Sequence, residues 1–200
     1  AGFTIAETDG STGVDESGTT DTFTIVLDAQ PTSDVVLSIS SGDTGETTVT
    51  STLTFTSANW DSPQTVTVTG VNDDLIDGTQ TTTVTVTVND GSSDNNFDSV
   101  SDQTVSVATT DDDVAGFTIS ETDGSTGVDE SGTTDTFTIV LDAQPDSNVV
   151  LSISSNDSGE ATTTSLLTFT NANWDTPQTV TVTGIDDNII DGTQTSTLTL

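Results

Sequence analysis

The chain has 200 residues, with 33 Asp and Glu and no Lys, Arg, His or Cys, which gives a formal charge of −33. This composition excludes a Ser/His/Asp triad, a thiolate nucleophile, a Schiff-base lysine and an imidazole-held zinc. It also excludes disulfides, Lys–Asn isopeptide crosslinks and the basic surface that nucleic acid requires.

The hydrophobic content is only 30%, and such a charge is usual in disordered chains. The arrangement of the apolar residues points instead to strands. Phe3 and Ile5 open the first. Phe23, Ile25 and Leu27 then alternate with Thr24 and Val26, and Val35, Leu37 and Ile39 with Val36 and Ser38. Leu53 and Phe55 begin a run that passes Trp60 and reaches Val66 and Val68. Val84, Val86 and Val88 face one way, Thr85 and Thr87 the other, and Val105 and Val107 close the series. About seven strands of period two, separated by Gly, Asp, Asn and Ser clusters, predict an all-β immunoglobulin-like sandwich. The segment from Asn89 to Asp102 (NDGSSDNNFDSVSD) reads as a long, acidic, mobile excursion between the last two strands. Trp60 and Trp174, in equivalent ANWD turns, read as plugs at the edge of a core. With one Trp per module and no Tyr, a sugar platform is disfavoured.

AGFTI at Ala1 recurs at Ala115, and residues 1–86 differ from 115–200 at only 17 of 86 positions. The chain therefore reads as tandem domain-sized modules, 1–114 complete and 115–200 a copy truncated before its last strand. Ala1 reads as the start of an excised segment, and the second copy as stopping inside a longer array. Thr32 and Asp34 become Asp146 and Asn148, while Asn72, Asp73 and Asp74 become Asp186, Asp187 and Asn188. Both exchanges move a charge and keep its number, as in surface loops. No apolar run is long enough to span a bilayer, and direct membrane insertion is not expected.

Without protein cations, close carboxylates must separate, share a proton or share a metal ion. A hard cation held by oxygen ligands, Ca2+ above all, is the least costly answer. Candidate ligands lie in Glu16 of VDESG, Asp43 of SGDTGE, Asn72, Asp73 and Asp77 of the NDDLID loop, and the triad Asp111, Asp112 and Asp113. Alternate loops of a sandwich emerge at one end, so these segments can converge there. Neither EF-hand nor nonapeptide calcium spacing is present. Paired carboxylates with no other catalytic group predict a protein that is not an enzyme.

VDESG, LTFTSANWDSPQTVTVTG, NDDLIDGTQ and the closing TTDDD together resemble a Calx-β domain, and more closely the Calx-β-like tandem repeats of large bacterial surface and adhesin proteins. The resemblance implies calcium at one end of each sandwich, near the next module. It implies Glu16, Asp43, Asn72, Asp73, Asp77 and Asp111–Asp113 as ligands, with the Leu75 carbonyl as an addition. In the second copy it carries over to Glu130, Asp157, Asp186, Asp187 and Asp191. Asn72 replaces a usual acid, and Asp77, Gly78 and Gln80 stand where the family is often Glu-rich, which implies fewer or weaker ions. The expected function is a non-enzymatic calcium-binding repeat, stiffening an extracellular rod or stalk on a bacterial cell surface. The alternative is a subunit of a self-assembling filament joined by calcium and strand complementation. In both, the partners are neighbouring copies of the module, in cis or in a filament.

Overall fold

Side chains of a strand alternate between its two faces, so the Val/Thr alternation sends valine to one face and threonine to the other. The computed structural model describes residues 1–190 and 192–200 and divides the chain into two units. The first comprises Ala1–Asp73 and Asp77–Asp112, the second Asp74–Ile76 and Asp113–Leu200. Both are all-β.

The first unit contains β1 (Phe3–Glu7), β2 (Thr12–Asp15), β3 (Thr20–Leu27), β4 (Val35–Ser41), β5 (Thr47–Val49), β6 (Thr52–Phe55), β7 (Gln64–Gly70), β8 (Gln80–Val88) and β9 (Gln103–Thr110). They form two sheets, ordered β1-β3-β7-β5 and β2-β9-β8-β4-β6. Phe23, Ile25, Val66 and Val68 from one sheet share a single core with Leu37, Phe55, Val84, Val86 and Val107 from the other. This is the packing of a β-sandwich. Trp60 packs against that core from its edge, and Trp174 does so in the second unit.

Two strands lie where the alternation predicts only turns. β2 is TGVD and β5 is TTV, each too short to show a period. Both are defined by pairing, β2 parallel to β9 and β5 antiparallel to β7.

The segment Asn89–Asp102 is not a mobile excursion, and this corrects the sequence expectation. Phe97 is buried in the core. Asp94 is buried and collects donors on both oxygens. Thr32 N–H (2.5 Å), Thr32 Oγ1 (2.7 Å) and Ser33 N–H (3.1 Å) donate to Oδ2, while Asn96 N–H (3.0 Å) and Nδ2 (2.7 Å) donate to Oδ1. The Asp94 N–H donates to the Asp34 carbonyl at 2.8 Å. Acidity misleads here because the carboxylate is bound by donors of its own loop and its neighbour, with no cation required. The Asn96 and Thr32 hydrogen bonds hold its pKa far below the usual carboxylate range. Its stabilisation is present above the ordinary value of 3.8 and is lost as pH falls through the lowered one.

The second unit contains β10 (Phe117–Glu121), β11 (Thr134–Leu141), β12 (Val149–Ser152), β13 (Ser154–Ser155), β14 (Ala161–Thr163), β15 (Leu166–Phe169), β16 (Gln178–Gly184) and β17 (Leu198–Thr199). Its registers repeat those of the first. Phe3 opposite Leu27 matches Phe117 opposite Leu141, and Thr47 opposite Gly70 matches Ala161 opposite Gly184. Phe137, Ile139, Phe169, Val180 and Val182 form its core.

Candidate metal centre

Strand register decides which acids meet. In one sheet of the first unit, Asp15 lies opposite Thr110 and Gln80 opposite Thr109. In the other, Thr47 lies opposite Gly70. The residues just beyond these pairs share one end of the sandwich. They are Glu16 after β2, Glu46 before β5, residues 71–73 and 77–79 between β7 and β8, and Asp111 and Asp112 after β9. Each ladder is extended there by one more bond, Glu16 N–H to the Thr110 carbonyl (3.1 Å) in one sheet and Val71 N–H to the Glu46 carbonyl (2.9 Å) in the other, and the Thr47 and Thr109 hydroxyls, 3.0 Å apart, link the two sheets. A Cβ on Gly70 would strike the Asp15 carbonyl oxygen, so only glycine lets β7 end against the Glu16 turn.

At the centre stands Glu16, 1% exposed, with both carboxylate oxygens buried and no hydrogen-bond partner. One oxygen each from Glu16, Glu46 and Asp77 lie within 4.8 Å of one another, and an Asp112 oxygen comes within the same distance of Glu16. Glu46 is half-buried, with its Oε2 also buried and unpartnered. Asp111 Oδ2 accepts from the Gly78 N–H at 2.8 Å, and Gly78 sits at φ 72, which fixes the loop carrying Asp77.

Burial first, then the charges of Asp73, Asp111, Glu46 and Asp77, push the Glu16 carboxyl up to about 7. Burial first, then Asp77 and Asp73, raises Glu46 too. These directions fix a pH test. A carboxyl whose folded pKa exceeds its unfolded one stabilises fully below the unfolded value, 4.5 for Glu16, and loses that contribution as pH rises through about 7. A metal ion needs the ionised form, so its affinity falls over the same interval on acidification. Thermal melts between about pH 8 and about pH 5 should therefore show these groups stabilising the protein on acidification in EDTA, and calcium's added stabilisation shrinking. Parallel profiles in the two buffers would contradict the assignment.

The other candidates are placed as follows. Asp73 is half-buried and acts on Glu16 through its charge. The Asn72 amide is exposed and donates to the Asp73 carbonyl (2.8 Å). Asp43 is exposed and accepts the Gly45 N–H (2.9 Å) in a turn, outside the acidic group that Glu16 centres. Asp113, half-buried, begins the second unit's longer stretch. In the second unit, Asp157 repeats the Asp43 turn through Gly159 (3.1 Å), and Asp187 accepts the Ile189 N–H (2.7 Å). Glu130 is half-buried and Asp186 exposed. Asp191 lies outside the described residues. Among the described residues, the second unit brings no three carboxylates within 4.8 Å of one another.

Sequence reasoning missed Glu46. It follows the Asp43 turn and opens onto β5, a strand too short to announce itself, so the turn aspartate drew the assignment instead.

The oxygen-only donor set fits a hard cation. Glu16, Glu46 and Asp77 supply carboxylates, with Asp111 and Asp112 beside them, and Ca2+ accepts six to eight such oxygens in irregular geometry. A buried carboxylate with no donor is expensive to keep ionised. A divalent ion bound there would supply the missing partner.

No family model matches the chain, and no curated protein matches it. Among solved structures it is similar to the calcium binding domain CBD12 of CALX1.1, with 14% identity and a TM-score of 0.40 over 92% of this chain and 76% of that one. It is similar to the E. coli chaperone DraB, with 6% identity and a TM-score of 0.41 over 94% and 89%. For a Bacteroides ovatus GH5 xyloglucanase the figures are 18% identity and a TM-score of 0.36, over 54% of this chain and 18% of that one. Likenesses this distant carry no argument for fold or function.

Among the described residues, no helix is long and apolar enough to cross a membrane.

Proposed function

We propose that the chain is a non-enzymatic, calcium-binding structural repeat of the Calx-β-like kind, forming part of a stiff extracellular rod or stalk in a bacterial surface or adhesin protein. The observation that carries the reading is Glu16, a carboxylate shut away from water, unpartnered, and within 4.8 Å of further acids in a chain with no side-chain cation. Nothing inside the protein neutralises it. An external divalent ion does, and extracellular fluid supplies calcium at concentrations that weak oxygen sites can use.

The rod function follows from repetition. Near-identical modules carrying a net negative charge repel one another along a chain. Bound calcium removes part of that repulsion and fixes the loops at the end of the first sandwich, where Glu16, Glu46 and Asp77 meet. Small-angle scattering of the full chain tests this. Calcium is expected to lengthen and stiffen the particle, and EDTA to shorten and broaden its distance distribution. Identical profiles in both buffers would overturn the rod, whatever the calcium affinity.

A further inference from the structure

The buried positions of β9 run Val105, Val107 and then Thr109, so an apolar series ends on a hydroxyl two residues before Asp111. Across the sandwich, the buried residue of β5 is Thr47, directly after Glu46. Both threonines are 0% exposed, and their hydroxyls lie 3.0 Å apart, either able to donate to the other. Valine fills the two preceding buried positions of β9 with no polar atom to satisfy. A hydroxyl costs free energy to bury unless it is bonded, so packing alone does not call for this pair. Strand pairing does not call for it either. In the second unit Ala161 holds the position of Thr47, and it lies opposite Gly184 as Thr47 lies opposite Gly70.

The pair does join the pieces of chain that carry the acids. β5 has three residues and lies at the edge of its sheet, beside β7. Glu46 hangs on that short strand, one residue from the Thr47 hydroxyl. Thr109 is two residues from Asp111 and stands opposite Val14, itself two residues before Glu16. Such short arms leave little slack between the hydroxyl bond and the carboxylates. Glu16 and Glu46 oxygens lie within 4.8 Å of each other. A calcium ion holds each oxygen at about 2.3–2.6 Å, so two on one ion span at most about 5 Å. Sheets that drift apart at this end lose a ligand.

We propose that Thr47 and Thr109 are positioning residues of the metal centre. Their mutual hydrogen bond sets the separation of the two sheets at the acidic end, and with it the reach from Glu46 to Glu16. The inference rests on the calcium reading above and adds to it a pair that touches no ion.

The test compares the full chain with Thr47→Val, Thr109→Val, the double valine variant and Thr47→Ser, by calcium calorimetry at about pH 8 and by hydrogen exchange in EDTA. Each single valine variant is expected to bind calcium roughly tenfold more weakly, the lower end of the loss on removing a supporting group. The double variant is expected to bind no more weakly than the singles, because all three lose the same bond. It also leaves no hydroxyl unsatisfied, so its folding is the least disturbed. Thr47→Ser keeps the hydroxyl and is expected to bind like the native chain. In EDTA the valine variants are expected to speed exchange at the amides of residues 47 and 71, which donate to the Asp43 (3.1 Å) and Glu46 (2.9 Å) carbonyls, more than along the β3–β7 ladder. A general loss of stability would speed both alike. Native calcium affinity in the double variant, or uniformly faster exchange, would overturn the proposal and leave the calcium site standing. A native chain that takes up no calcium would overturn the reading beneath it as well.

Discussion

Calcium at about 1 mM is expected to raise the melting temperature of the full chain by roughly 10 °C over EDTA, if the site binds near 10 µM. At about 100 times the dissociation constant an ion contributes about 2.7 kcal/mol, and a unit near 100 residues shifts by about 4 °C or more per kcal/mol. The Glu16→Gln variant makes the expectation specific through a change of sign. In EDTA the native carboxylate is buried, unpartnered and beside like charges, so replacing it with a neutral amide should raise the melting temperature. In calcium the same replacement removes a charged ligand and should lower it. Differential scanning calorimetry of both proteins in both buffers reads this directly. A variant less stable than the native protein in EDTA would mean that Glu16 does structural work without a metal.

Phe97→Ala is expected to destabilise the first unit by about 3–5 kcal/mol, the range for truncating a fully buried phenylalanine. Phe97 lies in the acidic Asn89–Asp102 segment, yet its side chain is only 2% exposed within the core. The loop is held by Asp94, whose donors come from both Thr32 and Asn96. Urea denaturation of the native and variant chains checks the value. A change below about 0.5 kcal/mol, as for an ordinary surface substitution, would show the segment to be a solvated excursion after all.

Most strands of the first unit are legible because each carries three or more alternations. Phe23-Ile25-Leu27 and Val84-Val86-Val88 can satisfy their pattern in no other common element. β2 and β5 are not legible, because three or four residues do not establish a period. TGVD makes the reason concrete, being a strand at 12–15 and none at 126–129 with no difference in sequence. Partner strands decide that outcome, and a partner 95 residues away in sequence (Thr12 opposite Val107) leaves no local trace.

The metal site divides along the same line. Glu16, Asp73, Asp77, Asp111 and Asp112 stand out as acids beside strand ends, where a sandwich gathers its loops. Asp43 stands out equally in sequence but is occupied by its own turn, because Asp followed by Gly two residues later closes on the Gly45 N–H. Glu46 carries no such mark, and only the Thr47–Gly70 register brings it to the site. Asp94 shows the converse case, an acid in an acidic run whose partners are all hydrogen-bond donors.

The most direct test of the central claim is a calcium titration by isothermal calorimetry on the native chain and on Glu16→Gln, at about pH 8 so that Glu16 is ionised before binding. The first unit is expected to take up calcium in the native chain, and Glu16→Gln to lose that uptake or weaken it by at least roughly tenfold, as expected for removing one charged ligand. Binding isotherms that coincide for the two proteins, or no calcium heat in the native chain, would contradict a calcium site built around Glu16.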